Sequence, residues 1–459
     1  MRKTIIYQML PRLWGNGKFS GIDDASLDYF KKLSISHLWF TGTIRHSSGK
    51  DFVKGDPGSP YSIADYYDVN PYLAECETDR MNEFCDLVDR THRHGMKVIL
   101  DFIPNHVGRD YSDAVGGIPH HLYSDYDWTD TYKIDYSHPE TWNKMKEILL
   151  YWAGKGVDGF RCDMVELVPP EFLKWVIAES RKEYPDLFFV AEVYNKDGYR
   201  QFVEEVGFDL LYDKSGLYDV LRSIAAGHGS ARAITWNWQF LQDLQPKMLN
   251  FLENHDEQRI ASPWFTGQEH NTAYLYASLA FNTSAFMLYF GQEIGTTASE
   301  GHEGRTSIFN WCHPEELKML DDYIHGNKRL SREKAAVLKE YREALAFATK
   351  DAISSGLVYD LCYCQKTENG FNFDKDFVFL RHSADKTKRL KHKTFLLYLS
   401  FGGNGTEFGT KNTENKRRKV KVIIPQDALS YLGLEDSINL QNGSIDLEIE
   451  ANGCSIVTL

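Results

Sequence analysis

The sequence lacks any run of eighteen apolar residues, any excess of positive charge and any regular cysteine spacing. Without a long apolar run, no segment is a candidate membrane-spanning helix. The opening stretch MRKTIIYQMLPRLW has only a short apolar run before Pro11 and no cleavage signal, which argues against a secretory leader. We therefore expect a cytoplasmic protein with no membrane partner.

The charge balance is acidic, with a formal net charge of −13 at pH 7. Proteins that bind nucleic acid neutralise phosphates with a surplus of lysine and arginine, and proteins that bind anionic lipid surfaces need the same surplus. The composition therefore excludes both partners and favours a neutral ligand.

The seven cysteines are odd in number, and only Cys362 and Cys364 lie close together in the sequence. Disulfide frameworks and zinc sites both need more regularly spaced ligands. We expect free structural thiols and no zinc.

Aromatic residues are abundant, at 14% of the chain with 26 Tyr and 10 Trp. Two interpretations stay open at this point. The rings either pack the core and surface, or some of them line a groove for sugars, whose C–H faces stack on aromatic planes.

Short apolar runs alternate with amphipathic stretches through the first three quarters of the chain. Eight such runs match the strand number of a closed parallel barrel, and their apolar character is typical of strands covered on both faces. Helices are predicted at 78–94, with Thr78 as a cap, and at 138–155. The eight runs are 4–10, 37–44, 97–103, 159–163, 188–194, 210–214, 248–255 and 285–293.

Two segments depart from this alternation of apolar runs and amphipathic stretches. Residues 107–136 form a long Gly-, Asp- and Tyr-rich stretch, which predicts an active-site excursion after the third strand. From about residue 350, short alternating strands without long helices predict an antiparallel β-sandwich. The expected organisation is a (β/α)₈ barrel at 1–106 and 137–349, a short inserted domain at 107–136 and a C-terminal sandwich at 350–459.

Polar side chains repeatedly follow the apolar runs. In a parallel barrel these positions meet at the C-terminal rim, where barrel enzymes carry their chemistry. They include Asp101, Asn105, His106, Arg161, Asp163, Glu192, His255 and Asp256.

Three of these strand-end residues, Asp163, Glu192 and Asp256, suit glycoside hydrolysis. The retaining reaction needs two carboxyl groups about 5–5.5 Å apart, one as nucleophile and one as acid/base. Strand alternation places Arg161 beside Asp163, where its charge should keep that carboxylate ionised. Glu192 follows an apolar run, and desolvation there should raise its pKa as a proton donor requires.

Four blocks of the chain resemble, in the same order, the motifs of the α-amylase family, glycoside hydrolase family 13. The stretches at 61–71 and 289–295 are also similar to family sequences, so the resemblance covers nearly the whole chain. The blocks are DFIPNHVG at 101–108, GFRCD at 159–163, AEVY at 191–194 and FLENHDEQR at 251–259.

This resemblance implies roles for individual side chains. Asp163 would be the nucleophile, Glu192 the acid/base and Asp256 the carboxylate that stabilises the transition state. His106 and His255, with Asp256, would hold hydroxyls of the glucose at the cleavage site, Tyr61 would stack on its ring, and Arg161 would orient the nucleophile. Further residues are ambiguous: Arg305 either reaches the substrate or forms a salt bridge, and Asp101 and Asn105 are either scaffold or packing residues.

The family resemblance also raises the question of calcium. Many members use the Asn of the first motif, a carboxylate of the excursion and the carbonyl of a His shortly after the nucleophile. Asn105 is present, but Leu167 stands where that His would be, and the excursion is short. Calcium wants six to eight oxygens. We expect no required metal, with calcium as the alternative.

The leading functional hypothesis is a retaining hydrolase of α-glucosidic bonds, most simply α-1,4 bonds, in maltooligosaccharides, starch or glycogen. One alternative is a transglycosylase or isomerase that uses the same covalent intermediate, which the motifs do not separate from hydrolysis. The other is a non-catalytic binding or assembly barrel. That alternative is disfavoured because all three carboxylates are present.

Overall fold

A computed structural model describes residues 3–112, 118, 122–124, 128–297, 304–312, 314–383, 385, 393–402, 417–434 and 443–459. Eight parallel strands close into a barrel in which each strand pairs with its neighbours along the chain. All eight coincide with the predicted runs, so the predicted barrel is confirmed. They are β1 (Ile5–Met9), β2 (His37–Phe40), β5 (Lys97–Phe102), β9 (Gly159–Cys162), β10 (Phe188–Ala191), β11 (Leu210–Tyr212), β12 (Met248–Phe251) and β13 (Ala285–Tyr289).

Helices alternate with the barrel strands and cover them. Two π-helical segments, Gln201–Val206 and Lys214–Tyr218, flank β11. The α-helices are α1 (Asp24–Lys32), α2 (Arg80–Arg93), α3 (Pro139–Gly154), α4 (Pro170–Glu183), α5 (Asp219–Ala225), α6 (Arg232–Leu241), α7 (Thr272–Ala280), α8 (Glu315–Ile324), α9 (Arg332–Ala348), α10 (Asp351–Ser354) and α11 (Gln426–Leu432).

The start of α2 differs from the prediction. Thr78 does not cap this helix, because a 3₁₀ turn at Glu77–Asp79 precedes it and places Asp79 at the cap position, without a side-chain cap bond. The Thr78 hydroxyl instead contacts the sulfur of Cys76 at 3.2 Å. In the part of the chain that the structure describes, no helix is both long and apolar enough to cross a membrane.

Two small antiparallel sheets are formed by the segments that follow barrel strands β2 and β5. The connection between β2 and α2 contains the hairpin β3 (Ile44–His46) and β4 (Ile63–Val69). The excursion contributes β6 (His106–Gly108), β7 (Leu122–Ser124) and β8 (Thr131–Ile134), paired in the order β6-β8-β7. Residues 113–117, 119–121 and 125–127 of the predicted excursion lie outside the described residues.

The C-terminal region is antiparallel, as predicted. Its sheets are β14-β15-β16-β19 and β17-β18. Inner residues of both sheets, such as Val378 and Val420, share one apolar cluster, which makes the arrangement a sandwich. The strands are β14 (Leu357–Asp360), β15 (Asp376–His382), β16 (Thr394–Ser400), β17 (Arg418–Ile423), β18 (Ser444–Ile449) and β19 (Cys454–Thr458).

Strand β15 joins the sandwich to the barrel because both of its faces are buried. Val378 and Leu380 face the sandwich core, whereas the alternating residues Phe377 and Phe379 belong to the large core that includes the barrel. All seven cysteines are free thiols, as the spacing predicted. The predicted domain boundaries stay predictions.

Candidate active site

A cavity of about 230 Å³ opens at the C-terminal rim of the barrel. Six of the eight site residues named from the sequence line it. The other two lie nearby: Arg161 is fully buried, and Arg305 is an exposed residue whose charge acts on Asp256. The six that line the cavity are Tyr61, His106, Asp163, Glu192, His255 and Asp256.

Arg161 lies at the centre of the acidic cluster. Its Nη1 donates to Oδ1 of Asp163 at 2.5 Å, and its Nη2 lies 2.9 Å from Oε2 of Glu192. The neighbouring strand places Asp101 opposite Arg161 in the register, with Oδ1 of Asp101 3.7 Å from Nη1. One guanidinium therefore bridges the two carboxylates at the ends of β9 and β10.

Aromatic rings enclose this guanidinium. Its carbon lies 5.5, 5.2 and 5.6 Å from the ring centroids of Trp39, Tyr61 and Tyr212, and Nε donates to the Tyr212 hydroxyl at 3.3 Å. The rings exclude water, so the ion pairs act in a medium of low dielectric constant. Burial alone would lower the pKa of Arg161, but the surrounding acids, Glu192 first, raise it well above its usual value.

Burial raises the pKa of both carboxyls that Arg161 contacts. For Glu192 this agrees with the sequence-based expectation of a proton donor. For Asp163 it does not, because the contact with Arg161 reduces the rise in its pKa without cancelling it. The reason is that burial is the largest effect on the pKa of Asp163, and the charges of Asp256 and Asp101 raise that pKa further.

The Glu192 carboxylate has two further donors. The backbone N–H of Met164 donates to Oε2 at 2.9 Å, and the Tyr194 hydroxyl donates to Oε1 at 2.8 Å. Met164 adopts a left-handed backbone with φ of 42°, which is uncommon for a residue with a side chain and often marks functional sites. Glu166 in turn accepts the backbone N–H of Tyr194 at 2.9 Å, which fixes the start of the loop after β10.

His255 connects Asp256 to the first strand. Its Nε2 lies 2.9 Å from Oδ2 of Asp256 and 2.6 Å from the Tyr61 hydroxyl, and its Nδ1 lies 2.8 Å from the amide nitrogen of Gln8. The rings of Tyr61 and His255 stack with centroids 5.0 Å apart. Tyr61 is thus held by contacts on both its ring and its hydroxyl.

Asp256 differs electrostatically from the other two acids. Burial acts to raise its pKa, but the charge and hydrogen bond of His255, followed by the charges of Arg161 and Arg305, lower it below the usual value. Its side chain is also 41% exposed, whereas those of Asp163 and Glu192 are almost completely buried. Asp256 is therefore the acid of the three that stays ionised most readily.

The first motif, residues 101–108, contributes His106 to the lining of the cavity. His106 is buried next to the ring of Trp128, with centroids 5.0 Å apart, and Nδ1 lies 3.1 Å from the amide of Asn105. Asp101 accepts the indole N–H of Trp39 at 3.0 Å and does not line the cavity. Asp101 thus occupies the scaffold position that the sequence left open.

Several site residues were not found from the sequence. Trp128, Tyr194 and the ion pair of Lys54 with Asp130 at 3.4 Å line the cavity, and Gln8 supports His255 from below. Only Gln8 carried a usable signal, as a polar residue inside the apolar run of β1. The others depend on loops whose conformation follows from packing.

Among the described residues, those that the family resemblance implies for calcium do not by themselves supply a calcium site, and residues 113–117, 119–121 and 125–127 of the excursion lie outside the described residues. Asn105, Asp135 and Leu167 border one cavity of about 350 Å³, but Asp135 is its single carboxylate. The carbonyl of Asn105 accepts the N–H of Ile134 at 3.0 Å, and Oδ1 of Asp135 accepts the N–H of Ser137 at 2.9 Å. No group of three His, Cys, Asp or Glu among the described residues could hold a metal, and calcium prefers six to eight oxygens.

Buried acids at the C-terminal rim of a closed eight-stranded barrel define a barrel enzyme. The family model for the α-amylase catalytic domain matches residues 9–126 and 119–353. The chain therefore belongs to the α-amylase family and is a glycoside hydrolase, as the four motifs predicted.

Three similar proteins share less than 30% identity with this chain. Alpha-amylase 3 of Dictyoglomus thermophilum is 23% identical over 85% of this chain and 91% of its own. The α-1,4-glucan:maltose-1-phosphate maltosyltransferase of Cereibacter sphaeroides is 28% identical over 45% of this chain and 39% of its own. The maltogenic α-amylase from Thermotoga neapolitana superimposes with a TM-score of 0.71 at 21% identity, covering 99% and 97% of the two chains.

Proposed function

We propose that this chain hydrolyses α-1,4-glucosidic bonds in maltooligosaccharides, starch or glycogen and retains the anomeric configuration. Asp163 is the nucleophile, Glu192 the general acid/base and Asp256 the carboxylate that stabilises the transition state. The observation that carries this proposal is that the three acids line one cavity while Arg161 bridges the first two.

The reaction proceeds in two displacements. The Asp163 carboxylate attacks the anomeric carbon while Glu192 gives its proton to the departing glycosidic oxygen, which leaves a glucosyl ester on Asp163. Glu192 then takes a proton from water, the water oxygen attacks the same carbon, and Asp163 leaves as a carboxylate. Two inversions give net retention, and the proton lost by Glu192 in the first step is regained in the second.

The electrostatics support this division of roles. A nucleophile must be ionised while the acid holds its proton, and two acids sharing one guanidinium favour a state with one proton between them. Asp163 accepts a direct hydrogen bond from Arg161, which favours its ionised form. Glu192 has the raised pKa of a proton donor.

The remaining residues position the sugar. Tyr61 presents a ring fixed by His255, and sugar C–H faces pack on such rings. His106, His255 and Asp256 face the same cavity and hold the hydroxyls of the bound glucosyl unit. The positive charge of Arg305 helps to keep Asp256 ionised.

The α-glucan substrate is supported by the names of two similar proteins, an amylase and an α-1,4-glucan maltosyltransferase. A neutral polymer also agrees with the acidic charge of the chain. Transfer to a sugar in place of water is the second candidate, supported by the similarity to a maltosyltransferase. Incubation with maltotriose separates the two: glucose and maltose indicate hydrolysis, and longer oligomers indicate transfer.

The decisive experiment compares Glu192→Gln with a surface control, Glu179→Gln on α4. Glu192→Gln is expected to lower kcat on maltoheptaose by about 10³-fold, because the amide gives no proton to the leaving oxygen. Binding of maltoheptaose should persist, and the control should match the unmodified protein. Equal turnover by Glu192→Gln contradicts the assignment, and a β-configured first product, seen by NMR, contradicts retention.

A further inference from the structure

A second cavity, of about 650 Å³, lies on the outside of the barrel between helix α6 and the C-terminal sandwich. It shares no lining residue with the catalytic cavity. Its volume falls in the range typical of small-molecule sites, about 300–1,000 Å³. We call it the α6 groove, lined among others by Trp236, Tyr359, Asp360, Tyr363 and Tyr431.

The α6 groove displays large aromatic side chains to solvent. Trp236 and Tyr363 are each 62% exposed and Tyr431 is 57% exposed, which makes them the three most exposed large apolar side chains among the described residues. Single exposed apolar residues are ordinary on protein surfaces, but a cluster of them around one concavity marks a binding site.

The tyrosines of the groove are held in place. The hydroxyls of Tyr359 and Tyr363 both donate to Oδ2 of Asp427, at 2.7 and 2.5 Å. The rings of Tyr359 and Tyr431 lie 5.4 Å apart, which links the third ring to this pair. Rings fixed before binding lose little side-chain entropy when a ligand stacks on them.

The polar groups of the groove balance one another in charge. Exposed Arg232 lies over the ring of Phe373 at 4.5 Å, Asp360 accepts a hydrogen bond from Thr235, and Gln239 is exposed. One positive and one negative side chain with an amide suit a neutral ligand that has many hydroxyls. Stacking rings together with hydrogen-bonding groups are also what the catalytic cavity offers through Tyr61, Trp128 and its polar residues.

We propose that the α6 groove is a second, non-catalytic binding site for an α-glucan chain. The identity of this ligand rests on the proposed function, whereas the groove itself does not. A polymer held at the α6 groove raises the local concentration of glucan at the catalytic cavity. The groove should therefore raise kcat/KM on polymers and leave kcat/KM on short oligosaccharides unchanged.

The first test counts binding sites by calorimetry with maltoheptaose, in the Glu192→Gln background so that the ligand is not cleaved. Two binding events are expected, and one of them should disappear when Trp236→Ala is added. Tyr431→Ala should weaken the same event by about fivefold, the effect of losing one aromatic contact. Tyr184→Ala, at an exposed aromatic residue next to a different cavity, is the matched control.

The second test uses the otherwise unmodified chain. Trp236→Ala should keep its thermal midpoint and its kcat/KM on maltotriose, while its kcat/KM on soluble glycogen falls by about fivefold. A single binding event in the Glu192→Gln protein overturns the proposal. So does a Trp236→Ala variant that changes only the sedimentation coefficient, because the groove is then an interface between copies. Turnover of maltotriose tests the proposed function separately.

Discussion

Two fully buried arginines occupy opposite kinds of environment in this protein. Arg161, at the barrel rim, contacts the carboxylates of Asp163 and Glu192. Arg381, on β15 between the barrel and the sandwich, contacts only backbone carbonyls. Its partners are the carbonyls of Ala352 at 2.9 Å, Phe281 at 2.8 Å, Ile353 at 2.7 Å and Gly356 at 3.2 Å.

The difference between the two environments appears in the pKa values of the two arginines. Nearby acids raise the pKa of Arg161, whereas burial without an acidic partner lowers the pKa of Arg381 to about 9. The carbonyls around Arg381 come from the ends of α7 and α10, where helix dipoles favour a cation. The same type of side chain therefore bridges two carboxylates of the candidate active site in one region and joins the barrel to the sandwich in the other.

Removing Arg161 should have the largest effect. Arg161→Met is expected to lower kcat by about 10³-fold, because Asp163 loses the charge that favours its ionised form and both carboxyls lose the contact that orients them. Steady-state kinetics on maltoheptaose measure the effect, and Arg381→Met is the control. If both variants lose activity equally while folded, the contrast between the two arginines fails.

Removing Arg381 should mainly cost stability. Arg381→Met leaves buried carbonyls without donors and should lower the free energy of unfolding by about 3 kcal/mol. Urea denaturation measures the loss, and kcat of the folded variant should stay unchanged. A normal unfolding midpoint would show that the carbonyl contacts contribute little to joining the barrel and the sandwich.

The pH dependence of kcat/KM should depend on the region around Arg161 and not on the region around Arg381. The pKa values of Asp163 and Glu192 are both raised. As pH falls through the pKa of Asp163, the proposed nucleophile becomes protonated, and as pH rises through that of Glu192, the proposed acid loses its proton. The acidic limb of kcat/KM should therefore lie above the usual Asp pKa of about 4, with about tenfold loss per pH unit below it.

A profile whose acidic limb lies at or below the ordinary Asp pKa would contradict the raised pKa of Asp163. Arg381 is not among the groups that shift the pKa values of Asp163 and Glu192. Arg381→Met should therefore leave both limbs of the kcat/KM profile in place. This variant thus tests whether the two regions are independent.

The smallest effect is expected at Tyr194. Tyr194→Phe removes a donor to Glu192, which should raise the pKa of Glu192, move the alkaline limb of kcat/KM upward and lower kcat by about threefold. Tyr199→Phe, at a buried tyrosine nearby in sequence that does not line the cavity, is the control. An unmoved alkaline limb would assign Tyr194 a purely structural role.

Sequence patterns predicted the regular elements well. All eight barrel strands and the antiparallel character of the described C-terminal strands follow from apolar runs and alternation, because burial on one or both faces dictates residue type along a strand. The prediction that Thr78 caps α2 was wrong, because local capping preference does not show that a 3₁₀ turn precedes the helix. The excursion was located, but its pairing as β6-β8-β7 was not.

The sequence by itself determined the barrel, the family and the positions of the three acids, two directly after a strand and Asp256 in the loop after β12. Each of these follows from local patterns of polarity and from four ordered motifs. Only the tertiary structure decided that one guanidinium bridges two of those acids, that burial raises the pKa of Asp163, and that Tyr194 donates to Glu192. It also assembled the α6 groove from residues more than a hundred positions apart. Such features depend on distances and desolvation, which arise when separate segments pack together.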